Sequence, residues 1–520
     1  MSQNELPTLD RDLEQSIKVI AKGAGITFIG IIGGNLLGTV NQALLGRFLG
    51  VSDYGHFNLG LSVVNIAQAF AILGLSGGIA RFIPFHLKKG EMAVVKSTIQ
   101  FSLRFVFLLS LAIAAVLFLF SRPIAFRVFR DPGFHLVLKL FLLGFPLIVL
   151  PNVLQAIIRA FKAMGYKLFI FDLGMKIIRI AIFVLFIFFG HALPGAIAAY
   201  LGSLFFALCA SLAVIRKKLF PHYREYPRIP IAKRLLSFSW PLGLTGLTSL
   251  VETRSEVILM GYFLTSHDIG IFAPALVIAQ MLANVSRSFE FIFLPVVSEF
   301  FARENKTQLT IVFKSVSKWL FILLLLALLF IIAFPKDIIL LLYGKDYAQS
   351  WLPLIILAVG FAIGTSVSLA GNILVAAGHT KLSLASEIIG GITSIVLNLV
   401  LIPRYGIVGA AVAAGTSLTL RGMSSLLFAY RTQKIHPYNK DYLKVLASGG
   451  VGIAVVLLLK PVLSPILPWL VTFLGLAILL FLIDCGLLLV THVFDNNDKL
   501  VLAAVERRTG VNLRFIKKFI

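Results

Sequence analysis

Charge is scarce in this chain. Asp, Glu, Lys and Arg together make up 13 % of its 520 residues, about half the share of an ordinary soluble domain. With 58 % hydrophobic residues and a mean hydropathy of +0.95, a water-soluble core is excluded, because a domain of this length still needs a polar skin. Cysteine is nearly absent. Cys209 and Cys485 both fall inside apolar stretches, which suits buried thiols and carries no redox information. Long polar segments are missing too, so no soluble domain is expected between the apolar stretches. The first 22 residues mix Glu5, Asp10, Asp12 and Glu14 with few bases, and the apolar stretch behind them is too long for a secretion-signal core. No signal peptide is therefore expected.

Catalytic signals are also lacking. No GxxxxGK[ST] loop occurs, so the chain is not expected to hydrolyse ATP. The nine His show no metal-ligand spacing. Asp10-Arg-Asp12 has the form of a DxD metal motif, but it sits in a tail with no domain around it. No enzyme activity, metal or cofactor is expected.

What is present is a series of long apolar runs. Crossing the hydrocarbon takes about 20 helical residues, and open strands cannot cross because their backbone groups go unpaired. Fourteen runs qualify: Gly23–Gly46, Phe57–Ala80, Ser97–Phe120, Leu136–Ile158, Leu168–Phe189, Leu193–Val214 and Phe238–Phe263, then Ile269–Val297, Trp319–Phe334, Trp351–Ala377, Leu382–Ile402, Gly406–Phe428, Leu443–Leu463 and Leu470–His492. An even number places both termini on one side. Most of the 47 Lys and Arg fall on that side, densest in Arg216, Lys217, Lys218, Arg224, Arg228, Lys233 and Arg234. Bases retained in cytoplasmic loops set topology, so both termini are expected in the cytoplasm of a cell (plasma) membrane. One loop, with Arg122, Arg127 and Arg130, dissents. The net charge of +24 is thus a topology signal spread over short loops, and no nucleic-acid partner is expected. After the last run, Arg514, Lys517 and Lys518 alternate with Leu513, Phe515, Ile516 and Phe519. This pattern fits a helix on an anionic membrane surface or a solvated basic tail.

An internal repeat organises the chain. Gly46, Phe48, Leu49, Asp53, Gly55, Phe57 and Leu61 recur 215 residues later as Gly261, Phe263, Leu264, Asp268, Gly270, Phe272 and Leu276. Ala163-Met-Gly165-Tyr-Lys167-Leu168 is echoed by Ala376-Ala-Gly378-His-Thr-Lys381-Leu382, and Leu193-Pro-Gly195-Ala196 by Ile407-Val-Gly409-Ala410. Each copy holds six runs, an even number, so the copies are parallel repeats about an axis along the membrane normal. The expected fold is an all-α polytopic membrane protein of about fourteen transmembrane helices. Two six-helix lobes (23–216 and 237–430) related by pseudo-two-fold symmetry are joined by a basic linker (217–236). Accessory helices 13 and 14 follow (431–495), between cytoplasmic tails 1–22 and 496–520. Substrates of such folds bind near the midplane at the repeat interface.

Ionisable side chains inside the membrane are costly, so they are functional candidates by default. Span seven carries Glu252, Arg254 and Glu256; span eight carries Arg287 and Glu290; span five carries Asp172, Lys176 and Arg179. Arg254, Arg287, Lys176 and Arg179 are candidate substrate contacts. Asp172 with Lys176, and Arg287 with Glu290, are also spaced to neutralise each other on one helix face. Glu252, Glu256 and Glu290 are candidate carriers of a coupling H+ or Na+. Gly30, Gly34 and Gly38 in span one admit a close neighbouring helix. Asn35, Gln42, Asn65 and Gln68 suit either a sugar-lined cavity or interhelical hydrogen bonds.

Leu44-Leu-Gly-Arg-Phe-Leu-Gly-Val-Ser-Asp-Tyr-Gly-His-Phe57 and Leu73-Gly-Leu-Ser-Gly-Gly-Ile-Ala-Arg81 resemble the opening signature of the polysaccharide and O-antigen flippases. These belong to the multidrug/oligosaccharidyl-lipid/polysaccharide exporter superfamily. Leu342-Tyr-Gly-Lys-Asp-Tyr347 is similar to that family's loop before span ten, and Leu401-Ile-Pro-Arg-Tyr-Gly-Ile-Val-Gly-Ala-Ala411 to its second-lobe signature. The likeness covers nearly the whole chain. It implies transfer of a lipid-linked oligosaccharide between leaflets, with membrane lipids and glycan polymerases or transferases as partners. In that frame Arg254 and Arg287 are suited to a diphosphate. Related peptidoglycan-precursor flippases place arginines in span one; this span one has none before Arg47, which argues against that substrate. The alternative within the superfamily is a multidrug/cation antiporter, with twelve spans and an acidic cavity. A glycan polymerase would need a larger outer loop.

Overall fold

The computed structural model describes residues 30, 33–221, 225–494 and 498, apart from the side chains of 244–245, 247–253 and 291–292. The tails 1–22 and 499–520, with Arg514, Lys517 and Lys518, and the side chain of Glu252 lie outside the described residues. Among the described residues every regular element is helical. In chain order these are α1 (33–49), α2 (Val51–Ile72), α3 (Leu75–Lys88), α4 (Met92–Leu119), α5 (Phe134–Leu143), α6 (Phe145–Ala160), α7 (Met175–Phe188) and α8 (Ala192–Val214). The second half holds α9 (Ala232–Phe263), α10 (Ser266–Ala302), α11 (Lys306–Ala333), α12 (Pro335–Leu342), α13 (Trp351–Ser366), α14 (Leu369–Ala376), α15 (380–405), α16 (407–433), α17 (Asp441–Leu463) and α18 (Trp469–Val490).

Among the described residues, eight helices suffice by length and composition to cross a membrane, or up to ten if the bent pairs α2/α3 (43°) and α5/α6 (49°) each form one span. The first of the fourteen apolar runs lies partly outside the described residues, and others fall short of qualifying for local reasons. The α7 helix is short and continues from a π-helical turn, Leu168–Gly174. The α9 helix carries Glu252, Arg254 and Glu256. The stretch Thr380–Gln433 is helical throughout except at Gly406 (φ 56°, ψ −133°). There the chain doubles back: Arg421 Nη1 lies 3.3 Å from Glu387 Oε2, although the intervening residues in straight helix would span about 50 Å. A Cβ on Gly409 would likewise stand 2.2 Å from the Leu401 carbonyl oxygen. Only a residue with no Cβ adopts this φ and permits this approach cheaply. Outward-facing Phe188, Leu458 and Val490 are 83 %, 73 % and 74 % exposed, an apolar skin that water would not tolerate and hydrocarbon does.

The repeated motif explains how the halves meet. Asp53 and Asp268 both sit in a helical first turn, where an acid suits the helix dipole. Asp268 also closes a capping box: its backbone N–H donates to Thr265 Oγ1 (3.3 Å), and its carboxylate accepts from the Thr265 N–H (3.0 Å). Two residues further on, a Cβ on Gly55 would stand 1.7 Å from the Ser266 carbonyl oxygen, and one on Gly270 would stand 1.9 Å from that of Val51. Glycine and carbonyl are exchanged between equivalent positions, the reciprocity that a two-fold contact requires. Helices α2 and α10 therefore cross at backbone distance. Next to this crossing the Leu342–Tyr347 loop inserts Tyr343 and Tyr347 against Tyr54, with ring centroids 5.6–6.1 Å apart. The Tyr347 hydroxyl donates to the Gly46 carbonyl (2.7 Å), and Arg47 Nε donates to the Leu342 carbonyl (3.0 Å) at the C-terminal end of α12. A cation at that end satisfies orphan carbonyls.

Candidate functional site

Helices α7 and α8 of the first repeat, and α9 and α15 of the second, bring polar groups toward the seam between the repeats. The approach of α1 to the segment before α7 depends on glycine. A Cβ on Gly34 would stand 2.9 Å from the Asp172 carbonyl oxygen, and one on Gly30 would stand 2.8 Å from Asp172 Oδ2. The Gly30, Gly34 and Gly38 stripe thus faces span five. Within that contact the Lys176 ammonium donates to the Gly34 carbonyl. Asp172 pairs with Lys167 at 2.8 Å rather than with Lys176.

One helical turn beyond, Arg179 reaches across to α8. Its Nε donates to Ser203 Oγ (3.1 Å), and its guanidinium carbon lies 4.4 Å above the Tyr200 ring. Ser203 itself donates to the Tyr200 carbonyl (2.8 Å), so side chain and backbone hold each other. The Tyr200 ring is fixed edge-on to Phe57 (6.3 Å) and Phe141 (5.8 Å). From the second repeat, Arg254 brings its charge to bear on the same Tyr200 and on Glu256. Among the described residues neither Arg179 nor Arg254 forms an ion pair with a carboxylate, and the two Nη groups of Arg179 have no hydrogen-bond partner. A planar guanidinium in that condition is suited to a diphosphate or carboxylate.

Beside Arg254 the wall of α9 is polar. Glu256 is 2 % exposed, and its Oε2 has no hydrogen-bond partner among the described residues. Ser255 Oγ lies 2.9 Å from Ser394 Oγ, and Asn398 Nδ2 donates to Ser394 (3.2 Å), which joins α9 to α15. Asn398 Oδ1 is buried without a partner among the described residues. Glu256 Oε2 and Asn398 Oδ1 are thus two buried acceptors left without a hydrogen-bond partner among the described residues.

The other sequence candidates are spread more widely. Arg287 on α10 is exposed and makes one long hydrogen bond, to Asn284 Oδ1 (3.4 Å). Glu290 accepts from Ser286 (3.0 Å), which also lies 2.6 Å from Ser368 Oγ, so Arg287 and Glu290 do not neutralise each other. Gln42 accepts from the Tyr54 hydroxyl (3.2 Å), and Gln68 donates to the Ile148 carbonyl (3.2 Å), so both serve as interhelical bonds. Asn35 and Asn65 are half-buried. Sequence reasoning passed over Tyr200, Ser203, Ser394 and Asn398. The signal for Tyr200 is an aromatic hydroxyl within an apolar run whose neighbouring span carries two bases.

The chain is a helical membrane protein built on an internal repeat, with Arg179 and Tyr200 from one half and Arg254 from the other at the seam. Solved structures bear out the fold. The lipid II flippase MurJ, in an inward closed conformation, superposes with a TM-score of 0.72 at 17 % identity, covering 90 % of this chain and 99 % of that one. An inward-facing multidrug resistance MATE family transporter gives 0.66 at 15 % identity, covering 77 % and 94 %. The chain belongs to the polysaccharide biosynthesis protein family, whose pattern it matches over residues 20–301. It is similar to the "probable low-salt glycan biosynthesis flippase Agl15" of Haloferax volcanii, 23 % identical over 406 residues, 76 % of this chain and 78 % of that protein. It also resembles an uncharacterised membrane protein of Methanocaldococcus jannaschii, 23 % identical over 434 residues, covering 80 % and 85 %.

Proposed function

We propose that this protein is a flippase that moves a polyprenyl-(di)phosphate-linked oligosaccharide from the inner to the outer leaflet for cell-surface glycan assembly. The observation that carries this reading is the pair Arg179, stacked on Tyr200, and Arg254, whose charge acts on the same Tyr200 from the other repeat, in a member of the polysaccharide biosynthesis family. In this reading the guanidinium groups hold the diphosphate, Tyr200 offers its ring to the first sugar, and the polyprenyl chain stays in the hydrocarbon. Arg287, Lys176, Asn35 and Asn65 contact the substrate further along its path. Lobes 23–216 and 237–430 rock about the seam by alternating access, with 217–236 as linker and 431–495 as accessory helices. Glu256, with Glu252 and Glu290, takes up the coupling H+ or Na+. The protein sits in the plasma membrane with both termini cytoplasmic, supplying glycan polymerases or transferases on the far side.

The buried, unmatched Glu256 favours one second reading, a multidrug/cation antiporter. Translocation in proteoliposomes separates the two. A polyprenyl-diphosphate saccharide is supplied inside, and its outer-leaflet fraction is read with a membrane-impermeant lectin, with and without an ion gradient. Transfer above that of empty liposomes, reduced about 10–100-fold in Arg179→Ala and Arg254→Ala, is expected from the loss of charged hydrogen bonds. Normal transfer in both variants removes the site assignment. No transfer, with gradient-driven efflux of a cationic dye, makes the protein an antiporter.

A further inference from the structure

A second set of unmatched cations lies away from the seam, at the start of α11. Thr307, Thr310, Lys314 and Lys318 follow at three- and four-residue spacing, so they share one face of that helix. This face, together with Asn439 in the segment leading to α17, lines a cavity of about 490 Å³. A second cavity of about 290 Å³ adjoins it through Thr307, Thr310 and Lys314, and adds Lys306, Lys434 and His436. The volumes are those of ligand pockets.

The lining is one-sided in charge. Among the described residues no acid lines either cavity. Lys318, 2 % exposed, is neutralised from behind by Asp498 (2.7 Å) and lies 3.7 Å from Asp441. Lys306, Lys314 and Lys434 have no ion pair among the described residues, so three like charges converge on one space. Ser315 is 4 % exposed and lines the same space, and its hydroxyl has no hydrogen bond among the described residues. Ile311 and Ile435 are the apolar residues among those that line it. An anion with several acceptor oxygens would relieve the repulsion and occupy the free hydroxyl.

We propose that the two cavities form one binding site for a phosphate-bearing anion, held by Lys314 and Lys434 with Lys306, Ser315 and Thr307, on the face that carries most of the bases. Its source is either an anionic lipid headgroup or a soluble polyphosphate. This inference is independent of the transport reading, because its test measures binding alone.

Purified full-length protein is titrated with inorganic diphosphate in neutral detergent. In parallel, retention of phosphatidylglycerol is followed by native mass spectrometry against phosphatidylcholine. Lys314→Gln/Lys434→Gln is expected to lose about tenfold or more in affinity for whichever probe binds, while Lys314→Arg/Lys434→Arg keeps it. A Lys217→Gln/Lys218→Gln control, altering exposed bases of another loop, leaves binding unchanged. Diphosphate binding identifies a soluble ligand, and selective phosphatidylglycerol retention identifies a headgroup. Binding of neither probe, or equal loss in the Lys217/Lys218 control, overturns the site.

Discussion

The cations of the accessory helices and those of the repeat seam are treated in opposite ways, whereas Asp484 on α18 is buried with neither carboxylate oxygen hydrogen-bonded among the described residues. Around α17 and α18 the buried cations have partners. Lys318 donates to Asp498 (2.7 Å) and to the Val493 carbonyl (2.9 Å), and Trp319 Nε1 donates to the same Asp498 (2.9 Å). Lys460 repeats the pattern near the other end of α17, with Asp337 (2.7 Å), the Ala333 carbonyl (2.9 Å) and the Trp469 indole completing the group. These knots tie the accessory pair to α11 and α12. At the seam, by contrast, Arg179, Arg254 and Glu256 form no ion pair among the described residues. The physics of burial is the same in both places: a charge in low dielectric needs a counter-charge or a set of hydrogen bonds. Where the protein supplies one, the charge is structural. Where it does not, the charge is left without a counter-charge, the condition on which the proposed substrate site rests.

The largest effect should come from breaking the first side of this contrast. Lys318→Ala leaves Asp498 buried beside Trp319 without its close cation, which costs about 3–5 kcal/mol. Thermal unfolding of the detergent-solubilised variant should fall well below wild type, with poor recovery from the membrane. Arg254→Ala removes an unpaired charge, so its unfolding should match or exceed wild type while translocation falls. If Lys318→Ala unfolds normally, or if Arg254→Ala unfolds as badly as Lys318→Ala, the division into structural and ligand-directed charges is wrong.

The seam is partly legible in the sequence. Intramembrane bases announce themselves by their cost, so Arg179 and Arg254 stand out before any helix is placed. Their shared neighbour does not: Tyr200 belongs to no motif, and it lies in a run where an aromatic is ordinary packing. Pairing choices are equally hidden, since Asp172 has Lys167 and Lys176 at comparable spacings and only the π-helical turn at Leu168–Gly174 selects Lys167. The repeat is the strongest signal, because its glycines and acids do local work that any copy must repeat. The number of crossings is the weakest, because α7 and α9 interrupt their apolar runs with charge.

A smaller effect is expected at the α2–α10 crossing, which contrasts with both charged regions because backbone meets backbone there. Gly55→Ala forces a methyl group into the Ser266 carbonyl, and Gly270→Ala does the same to Val51. Overpacking of this kind costs about 1–3 kcal/mol. The two equivalent variants should lower the unfolding temperature by similar amounts, and the double variant by less than the sum, since the first shift already opens the shared crossing. Strict additivity, or a large asymmetry between the two, would mean that the positions do not form one reciprocal contact.

The smallest effect concerns the polar latch beside that crossing. Asp131 lies 2.9 Å from His56 Nε2 and accepts from the backbone N–H of Gly133 (3.0 Å); it also accepts from the Ser266 hydroxyl of the second repeat. Burial pushes its carboxyl up, but the Ser266 hydrogen bond and the His56 charge outweigh that, so it titrates below the usual 3.8. A carboxyl held low in the folded protein contributes stability that is present above its unfolded value and is lost as pH falls through the folded one. Asp131→Asn should therefore cost about 0.5–1.5 kcal/mol at neutral pH, the scale of a hydrogen bond at a half-buried site. The gap between wild type and Asp131→Asn in apparent unfolding temperature should close as pH falls below 3.8. A gap that persists in acid would show that Asp131 acts by shape rather than charge.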